Sequence, residues 1–373
     1  MSKALSKSQF IMGWDIGGAH LKAALLDEHG EVLQALQLPC PLWKGLDYLE
    51  RAILTALQPQ GLSPQNIPAK AGYSCVKAFK IKPSDAIHAV TMTGELVDLF
   101  QNRHEGVIAI STLAEKLLGK DTFFYAANDG FVALERVSAL TASIASANWH
   151  ASASALAMQL NDALFIDIGS TTTDIIAISN GKVSSTNLSD AARMADDSLV
   201  YTGVVRTPVM ALAQKIPFAG NLVNVAAEHF ATTADVYTLT GDLPLAENLA
   251  ETADGADKSV EASARRIARM VGCDVEDAPL SAWRNLAYAF KHEQLKQVKQ
   301  AILRQISLLG DCRGLQLVGA GAGDFLVYEL AKQLGFRYQS IANLIAAKED
   351  ETREMAAVCF PAYAVAYLLR KHV

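Results

Sequence analysis

The stretch FIDIGSTTTDIIAI, residues 165–178, decides the predicted fold. Apolar residues lead into Asp167, Gly169 follows, and four consecutive hydroxyl side chains precede Asp174 before the chain turns apolar again. The apolar runs on both sides are typical of buried strands. Glycine lets backbone N–H groups approach an anion closely, and carboxylate and hydroxyl oxygens suit Mg²⁺. The order therefore predicts a phosphate and metal site at a turn between two strands.

A second copy of this pattern lies near the start of the chain, in IMGWDIGGAHLKAALLDEHGEV, residues 11–32. When the two copies are aligned, Asp15 corresponds to Asp167 and Lys22 corresponds to Asp174. Each copy continues through a polar turn into a further short run, so each predicts strand, glycine turn, strand, turn and strand. The same supersecondary unit is thus predicted at the head of each half.

Alternating helix and strand patterns fill the rest of the chain and predict an α/β fold. An alanine-rich helical pattern over 133–159 ends just before the second copy, which places the domain boundary near residue 160. The first lobe then covers 1–160, and the second covers 161–373 with a helical insertion. Further helices are predicted over 45–58, 108–118, 258–272, 281–309 and the apolar run 355–369.

Composition excludes several classes of function. The 373 residues are 51% hydrophobic and 19% charged, which is ample for two cores and argues against disorder. A net charge of −6 argues against a nucleic-acid surface. Five cysteines without metal-site spacing predict reduced thiols and a cytoplasmic protein, and no apolar run predicts a membrane span. Small-molecule substrates are the expected partners, and a homodimer is left open.

A third glycine turn, GAGAG at 319–323, follows a strand pattern and opens a helix. A helix N-terminus behind glycines binds anions readily. The spacing departs from GxGxxG, so a dinucleotide fingerprint is not supported. A tight strand-to-helix turn without a ligand remains the alternative.

These turns supply the predicted catalytic and phosphate-binding residues. Asp15 and Asp167 are predicted to hold Mg²⁺, mostly through water. Lys22 can neutralise a phosphate, and Asp174 can orient a metal-bound water or accept a proton, although solvent-facing strand positions explain both equally well. The predicted phosphate-binding residues are Gly17, Gly18, Gly169, Ser170, Thr171, Thr172, Thr173, Gly319 and Gly321.

Three further segments carry candidate substrate ligands. TMTGELVDLF places Glu95 and Asp98 three residues apart, on one face if the segment is helical. YTGVVRTPV holds Arg206, which can pair with a carboxylate or phosphate through two hydrogen bonds. ATTADVYTL holds Asp235 among threonines and apolar residues. Judged by residue type alone, a structural role is the first alternative for each.

Together the motifs resemble a known superfamily. Three turns in this order resemble the phosphate and nucleotide motifs of the actin, sugar kinase and Hsp70 superfamily, whose two ribonuclease-H-like lobes hold the ligand in the cleft between them. DIGSTTTDI resembles its hydantoinase/oxoprolinase group. The set GWDIGGAHLKAA, TMTGEL, ASANWHASA, IDIGSTTTDI, YTGVVRTPV and TTADVY is similar to the tetrahydromethanopterin-linked C1 transfer pathway protein family.

That resemblance implies a transferase of methanofuran-type cofactor biosynthesis, since archaeal members join an aminomethylfuran unit to γ-glutamyltyramine. A glutamyl-tyramine or tyrosine-like phenol would displace diphosphate from an aminomethylfuran methyl diphosphate, with Mg²⁺ and Lys22 stabilising the leaving group. Glu95, Asp98 and Asp235 would bind the furan's amine, and Arg206 the acceptor's carboxylate. An ATP-dependent kinase or hydrolase of the hydantoinase/oxoprolinase type and a non-catalytic pathway protein remain alternatives.

Overall fold

The computed structural model describes residues 10–57, 78–79, 81–185, 187–243, 248, 250–309, 312 and 314–372. The chain divides into two compact units, the first made of residues 1–162, 178–192 and 341–373 and the second of residues 163–177 and 193–340. The change of unit after Asp162 lies beside the predicted boundary, whereas the last 33 residues belong to the first unit.

Fourteen strands are formed by the described residues. In chain order they are β1 (Phe10–Ile16), β2 (His20–Leu26), β3 (Val32–Pro39), β4 (Ala86–Met92), β5 (Thr122–Tyr125), β6 (Phe131–Val132), β7 (Ala163–Ile168), β8 (Thr173–Ser179), β9 (Lys182–Val183), β10 (Leu199–Val200), β11 (Lys215–Phe218), β12 (Asn221–Asn224), β13 (Gln316–Ala320) and β14 (Arg337–Ser340).

Twelve α-helices accompany the strands in the same described ranges. They are α1 (Leu46–Leu57), α2 (Arg103–Leu118), α3 (Leu134–Val137), α4 (Thr141–Ile144), α5 (Asn148–Ala157), α6 (Asp190–Ala195), α7 (Thr233–Thr240), α8 (Val260–Arg269), α9 (Leu280–Ser307), α10 (Asp324–Leu334), α11 (Asp350–Val358) and α12 (Phe360–His372). No helix of the described chain is long and apolar enough to cross a membrane.

The two large sheets share the arrangement around their central strand, which lies between the next strand in sequence and a parallel strand. In the first unit the strand order is β3-β2-β1-β4-β5-β6, with β1 antiparallel to β2 and parallel to β4. The other large sheet has the order β10-β8-β7-β13-β14, with β7 parallel to β13 and β9 beside the last two residues of β8. The strand that leads into each Asp-x-Gly turn, β1 or β7, is therefore central in its sheet. The predicted α/β class with two ribonuclease-H-like lobes is confirmed.

The core of the first unit lies on one face of β1, where Met12, Trp14 and Ile16 are fully buried with residues of α1 and α2. The other face of β1 lies against α12. A Cβ added at Gly13 would sit 1.9 Å from the carbonyl oxygen of Ala362. Glycine at position 13 thus allows α12 to approach β1 closely, and Asp15 lies on this same face because side chains alternate along a strand.

The second unit has two cores. One packs β7, β8 and β13 against α9 and α10. The other joins α7, α8, the first half of α9 and the β11–β12 hairpin around Trp283, which stacks on Phe218 with ring centroids 5.0 Å apart.

Two segments that were each predicted as one continuous helix are divided into shorter helices, so these two predictions are wrong. The segment 133–159 forms three short helices, and Ser146, with a backbone φ of 53°, interrupts the helical path before α5. The C-terminal segment forms α11 and α12 with a break at Cys359. Pro361 lies in the first turn of α12, where the missing N–H of proline is tolerated. The predicted helix at 108–118 begins earlier, at Arg103, because the Asn102 side chain caps it.

Candidate functional site

Asp15 is the penultimate residue of β1 and is only 5% exposed. Its Oδ1 has no hydrogen-bond partner among the described residues. Burial raises the pKa of Asp15 to about 6, although the charge of Lys22 lowers it. Leaving a buried carboxylate oxygen without a donor is unfavourable, so such an atom points to a ligand or an ordered water.

A row of polar side chains crosses the sheet at Asp15. In the strand register Lys22 of β2 lies opposite Asp15 on one side, and Thr91 of β4 lies opposite it on the other. Thr91 is fully buried, and within the described chain its Oγ1 also finds no partner. Register neighbours share a face of the sheet, so a cation, two acceptor oxygens and the turn that follows meet at one edge.

The glycine turns of the two copies have the same backbone geometry. The N–H of Gly17 donates to the carbonyl of His20 at 2.9 Å, and the N–H of Gly169 donates to the carbonyl of Thr172 at 2.9 Å. These two N–H groups are used inside their turns and are not available to a phosphate. Gly17 and Gly169 therefore shape the two turns, and any donor to an anion must come from their neighbours.

The second turn differs in its side chains. Asp167, the penultimate residue of β7, is half-buried, as are Ser170, Thr171 and Thr172. Thr173 is fully buried and its hydroxyl donates to the carbonyl of Thr202 at 2.7 Å, which gives Thr173 a structural role. Three hydroxyl groups therefore remain as candidates for a phosphate oxygen.

Asp174 accepts a hydrogen bond at 2.6 Å from Arg193, a residue that is 1% exposed. The same guanidinium donates to the carbonyl of Ser198 at 2.8 Å. A charge-assisted bond to a buried arginine holds the Asp174 carboxylate and fixes the connection that leads to β10. This ion pair favours the structural alternative for Asp174 over orientation of water or proton transfer.

The third glycine turn packs directly on Asp167. A Cβ added at Gly321, whose φ is +79°, would lie 2.3 Å from Asp167 Oδ1, and the N–H of Gly323 donates to the carbonyl of Ile168 at 2.8 Å. Asp324 begins α10 and accepts hydrogen bonds from the side chains of Tyr338 and Ser340 at 2.6 and 3.1 Å. Because a carboxylate already occupies this helix N-terminus, a phosphate there would meet like charge. The turn therefore supports Asp167, which favours the alternative of a turn without a ligand.

Glu95 is the most buried of the predicted substrate ligands, at 1% exposed. Its Oε1 accepts a hydrogen bond from Ser146 at 2.9 Å, and its Oε2 has no partner among the residues described. Burial raises the pKa of Glu95 to about 7, against the lowering effects of Ser146 and of Arg103, and Asp190 raises it further. Arg103 and Asp190 form an ion pair at 2.7 Å beside it.

The segment that holds Glu95 is joined to the first turn, since the N–H of Thr93 donates to the carbonyl of Ile16 at 3.0 Å. Glu95 lies in a single 3₁₀ turn, Gly94–Leu96, and Asp98 lies beyond it and is exposed. The condition for a shared helical face is therefore not met. Glu95 is an interior carboxylate near the turn, whereas Asp98 is a surface carboxylate.

Asp235 has both oxygens occupied by protein donors. Its Oδ1 accepts from Ser263 at 3.0 Å and from Arg266 at 2.8 Å, and its Oδ2 accepts from the backbone of Thr232 at 3.0 Å. The last bond belongs to the capping box of α7. Asp235 is thus a helix cap and ion-pair partner, and each of its two oxygens already has a protein donor.

Arg206 is exposed, and its backbone N–H donates to the carbonyl of Ser170 at 2.8 Å. The bond fixes its backbone beside the hydroxyl turn. No three His, Cys, Asp or Glu residues of the described chain form a group that could hold a metal ion. A Mg²⁺ ion at Asp15 or Asp167 would therefore depend on water and substrate oxygens, which is the usual manner of Mg²⁺.

The topology of both sheets and the paired Asp-x-Gly turns define a two-lobed α/β protein of the actin and sugar kinase type. An acetone carboxylase in a nucleotide-free form matches this fold with a TM-score of 0.52 and 11% identity, over 97% of this chain and 70% of that one. The hydantoinase/oxoprolinase family model matches residues 86–347, more than half of the chain. The chain belongs to the hydantoinase/oxoprolinase family.

Two sequence relatives carry the same name, (4-{4-[2-(gamma-L-glutamylamino)ethyl]phenoxymethyl}furan-2-yl)methanamine synthase. The protein from Methanocaldococcus jannaschii is 29% identical over 367 residues, which is 97% of this chain and 98% of that protein. The protein from Methanococcus vannielii is 28% identical over 211 residues, which is 56% of this chain and 91% of that protein.

Proposed function

We propose that this protein is an enzyme of methanofuran-type cofactor biosynthesis, a transferase that joins an aminomethylfuran to a phenolic acceptor through an ether. The observation that carries the proposal is the similarity to a named synthase over nearly the full length of both chains. The printed name of that relative describes a furan methanamine joined through a phenoxymethyl ether to a γ-glutamylaminoethyl group. Such an ether forms when a phenol oxygen attacks an activated furfuryl carbon.

Diphosphate is the proposed leaving group on that carbon. The phenol oxygen forms the new C–O bond, and the electron pair of the broken C–O bond leaves with diphosphate. Lys22 and the hydroxyl groups of Ser170, Thr171 and Thr172 are the proposed partners of the departing oxygens, since charge develops there in the transition state. Interactions that strengthen as this charge grows accelerate the chemical step.

Asp15 and Asp167 are the proposed ligands of Mg²⁺, acting mostly through water. The fit rests on the buried Asp15 Oδ1, which has no protein donor in the described chain, and on the oxygen character of both groups. When bound, Mg²⁺ would neutralise charge on the diphosphate oxygens. The Lys22 cation across from Asp15 keeps this edge of the sheet from being wholly anionic.

Glu95 is the proposed acceptor of the phenolic proton. One of its oxygens is held by Ser146 and the other is unpartnered in the described chain, so a single acceptor atom is offered. An ammonium group presents three donors and a permanent charge, and the neighbouring Arg103 opposes a second cation. A pKa of about 7 suits transfer of a proton near neutral pH. These features favour proton transfer by Glu95 over recognition of the furan's amine.

Recognition of the substrate ends then falls to exposed groups. Asp98 is the remaining proposed partner of the furan's amine, because Asp235 is occupied by Arg266 and Ser263. Arg206 is the proposed partner of the acceptor's carboxylate, since a guanidinium matches a carboxylate with two parallel hydrogen bonds. Its fixed backbone beside the second turn limits how far that charge can move.

The test supplies the purified protein with Mg²⁺, an aminomethylfuran methyl diphosphate and a glutamyl-tyramine or tyrosine acceptor. Ether product detected by mass spectrometry, with one diphosphate released per ether, is the expected result. Parallel reactions contain ATP in place of the furan diphosphate. ADP formation without an ether in either reaction would replace this proposal with the ATP-dependent kinase or hydrolase expected of other family members.

A further inference from the structure

The hydroxyl turn of the second unit is covered by one segment, residues 202–206. Backbone N–H groups of this segment donate to the carbonyls of Gly169 and Ser170 at 2.8 to 3.1 Å. A Cβ added at Gly203 would lie 2.5 Å from the backbone nitrogen of Thr171. The path of the turn is therefore set by where this covering segment lies.

Gln294, in the middle of α9, holds the covering segment in place. Its side chain is fully buried, and Nε2 donates to Thr202 Oγ1 and to the carbonyl of Gly203, both at 2.8 Å. Its Oε1 accepts from the hydroxyl of Tyr237, a fully buried residue of α7. Thr233, also in α7, donates to the Gly203 carbonyl at 2.9 Å.

The Gln294 amide donates two hydrogen bonds and accepts one. The Gly203 carbonyl can only accept, so it must face Nε2, and this turns Oε1 towards the Tyr237 hydroxyl, which donates to it. A buried and fully satisfied polar network favours one geometry over its alternatives. The network contacts the Thr202 hydroxyl and the Gly203 carbonyl of the covering segment, and it includes no side chain assigned to the chemistry.

We propose that Gln294, hydrogen-bonded to Tyr237, is a positioning residue that sets the geometry of the diphosphate-binding turn through Gly203. The inference rests on the proposed function, because it takes the hydroxyl turn to bind diphosphate. Preorganised donors bind an anion without paying to reorder the loop, so loosening the covering segment weakens binding. Gln294 thereby affects the affinity for diphosphate from a position that the ligand does not reach.

The test variant and its control each replace a buried glutamine of the same helix, α9. Gln294→Met removes the amide and keeps a side chain of similar length. Gln305→Met is the control, since Gln305 is a second buried glutamine of α9 whose Nε2 donates to the carbonyl of Asp196 at 2.6 Å. Both changes leave a backbone carbonyl without that donor, and only the first touches the covering segment. Tyr237→Phe is a milder third variant that removes one hydrogen bond.

The measurement is calorimetric titration of each full-length protein with inorganic diphosphate in Mg²⁺. Gln294→Met, which removes three hydrogen bonds, should bind diphosphate about tenfold more weakly, and Tyr237→Phe, which removes one, about threefold more weakly. Gln305→Met should bind as the wild type does. In turnover assays Gln294→Met should raise KM for the furan diphosphate, with a smaller rise in KM for the phenolic acceptor because Arg206 ends the same covering segment.

Equal affinities in Gln294→Met and Gln305→Met would overturn the positioning role while leaving the proposed function standing. If Gln294→Met does not fold, an affinity of Tyr237→Phe equal to that of the wild type overturns it instead. A folded wild-type protein that binds no diphosphate would remove the phosphate-binding turn from the proposed function, and this inference with it.

Discussion

The two Asp-x-Gly turns share a backbone and differ in what surrounds it. In the first, the aspartate is nearly fully buried with one oxygen that has no partner in the described chain, and a lysine stands across from it. In the second, the aspartate is half-buried and contacts a third glycine turn, and the position equivalent to Lys22 is Asp174, held by Arg193. The same backbone unit thus holds a buried carboxylate that destabilises the fold unless it binds a ligand in the first copy, and carboxylates stabilised by protein contacts in the second.

The first copy should show the largest functional effect. We expect Asp15→Asn to lower kcat/KM by about a hundredfold or more. The change removes a negative charge that would hold Mg²⁺, the ion proposed to stabilise the departing diphosphate. Steady-state kinetics at saturating Mg²⁺ measure this, with Asp121→Asn at an exposed position of the same unit as the control. A wild-type rate in Asp15→Asn would place the important carboxylate elsewhere.

The same substitution should increase stability in the absence of Mg²⁺. Since the pKa of Asp15 is raised to about 6, the folded chain holds a proton that the unfolded chain has lost between pH 3.8 and 6, and stability falls as pH rises through that window. Two pKa units correspond to up to about 3 kcal/mol above pH 6. Urea unfolding at pH 7.5 should show the gain, and a loss would mean that Asp15 already has a stabilising partner.

Glu95→Gln tests whether the second buried carboxylate of the first unit transfers a proton or binds the furan's amine. We expect the wild-type rate to rise with pH through about 7, as Glu95 ionises beside Arg103 and Asp190, and the variant to be slower by about a hundredfold with that limb missing. The pH profile of kcat is the measurement, and Glu135→Gln, at an exposed position, is the control. A variant that keeps the limb and only raises KM for the furan would return Glu95 to amine recognition.

In the second copy the equivalent substitution should affect stability and not chemistry. Asp174→Asn removes the carboxylate charge that pairs with the buried Arg193 guanidinium, so we expect a loss of about 3 kcal/mol in the free energy of unfolding. The double variant Asp174→Leu with Arg193→Met should recover much of it, because the uncompensated charge is gone. A large fall in kcat for Asp174→Asn protein that remains folded would contradict the structural role.

The smallest effect is expected at Arg206. Arg206→Ala should raise KM for the acceptor about tenfold and leave KM for the furan diphosphate and the stability unchanged, because the exposed side chain contributes only to recognition. Arg284→Ala, another exposed arginine of the second unit, serves as the control. A rise in KM for the furan diphosphate alone would assign Arg206 to the leaving group.

The sequence predicted the features that are local. Both Asp-x-Gly turns could be found because glycine, carboxylate and strand pattern lie within about ten residues of one another. The break before α5 could not, because alanine-rich sequence favours helix and only tertiary packing holds Ser146 at a positive φ. The roles of Asp174 and Asp235 were hidden because each depends on an arginine that follows it by 19 or 31 residues.

Distance in the chain also hid Gln294 and Thr91. Gln294 lies in a long helix whose polar positions all look alike in sequence, and its partners precede it by more than 50 residues. Thr91 belongs to a strand that is buried along its whole length. Its sequence pattern therefore does not show whether the Thr91 hydroxyl has a hydrogen-bond partner. Burial and hydrogen-bond pairing are properties of the folded chain. The sequence pattern shows only which residues are able to form such bonds.

The close fit of α12 over Gly13 has a consequence for how the protein is made. The helix that covers one face of β1 is translated more than 300 residues after β1 itself. At about 5 to 20 residues per second, that face waits for tens of seconds while the second unit, residues 163–177 and 193–340, is completed first. The unit that contains β1 is therefore begun before the second unit and completed after it.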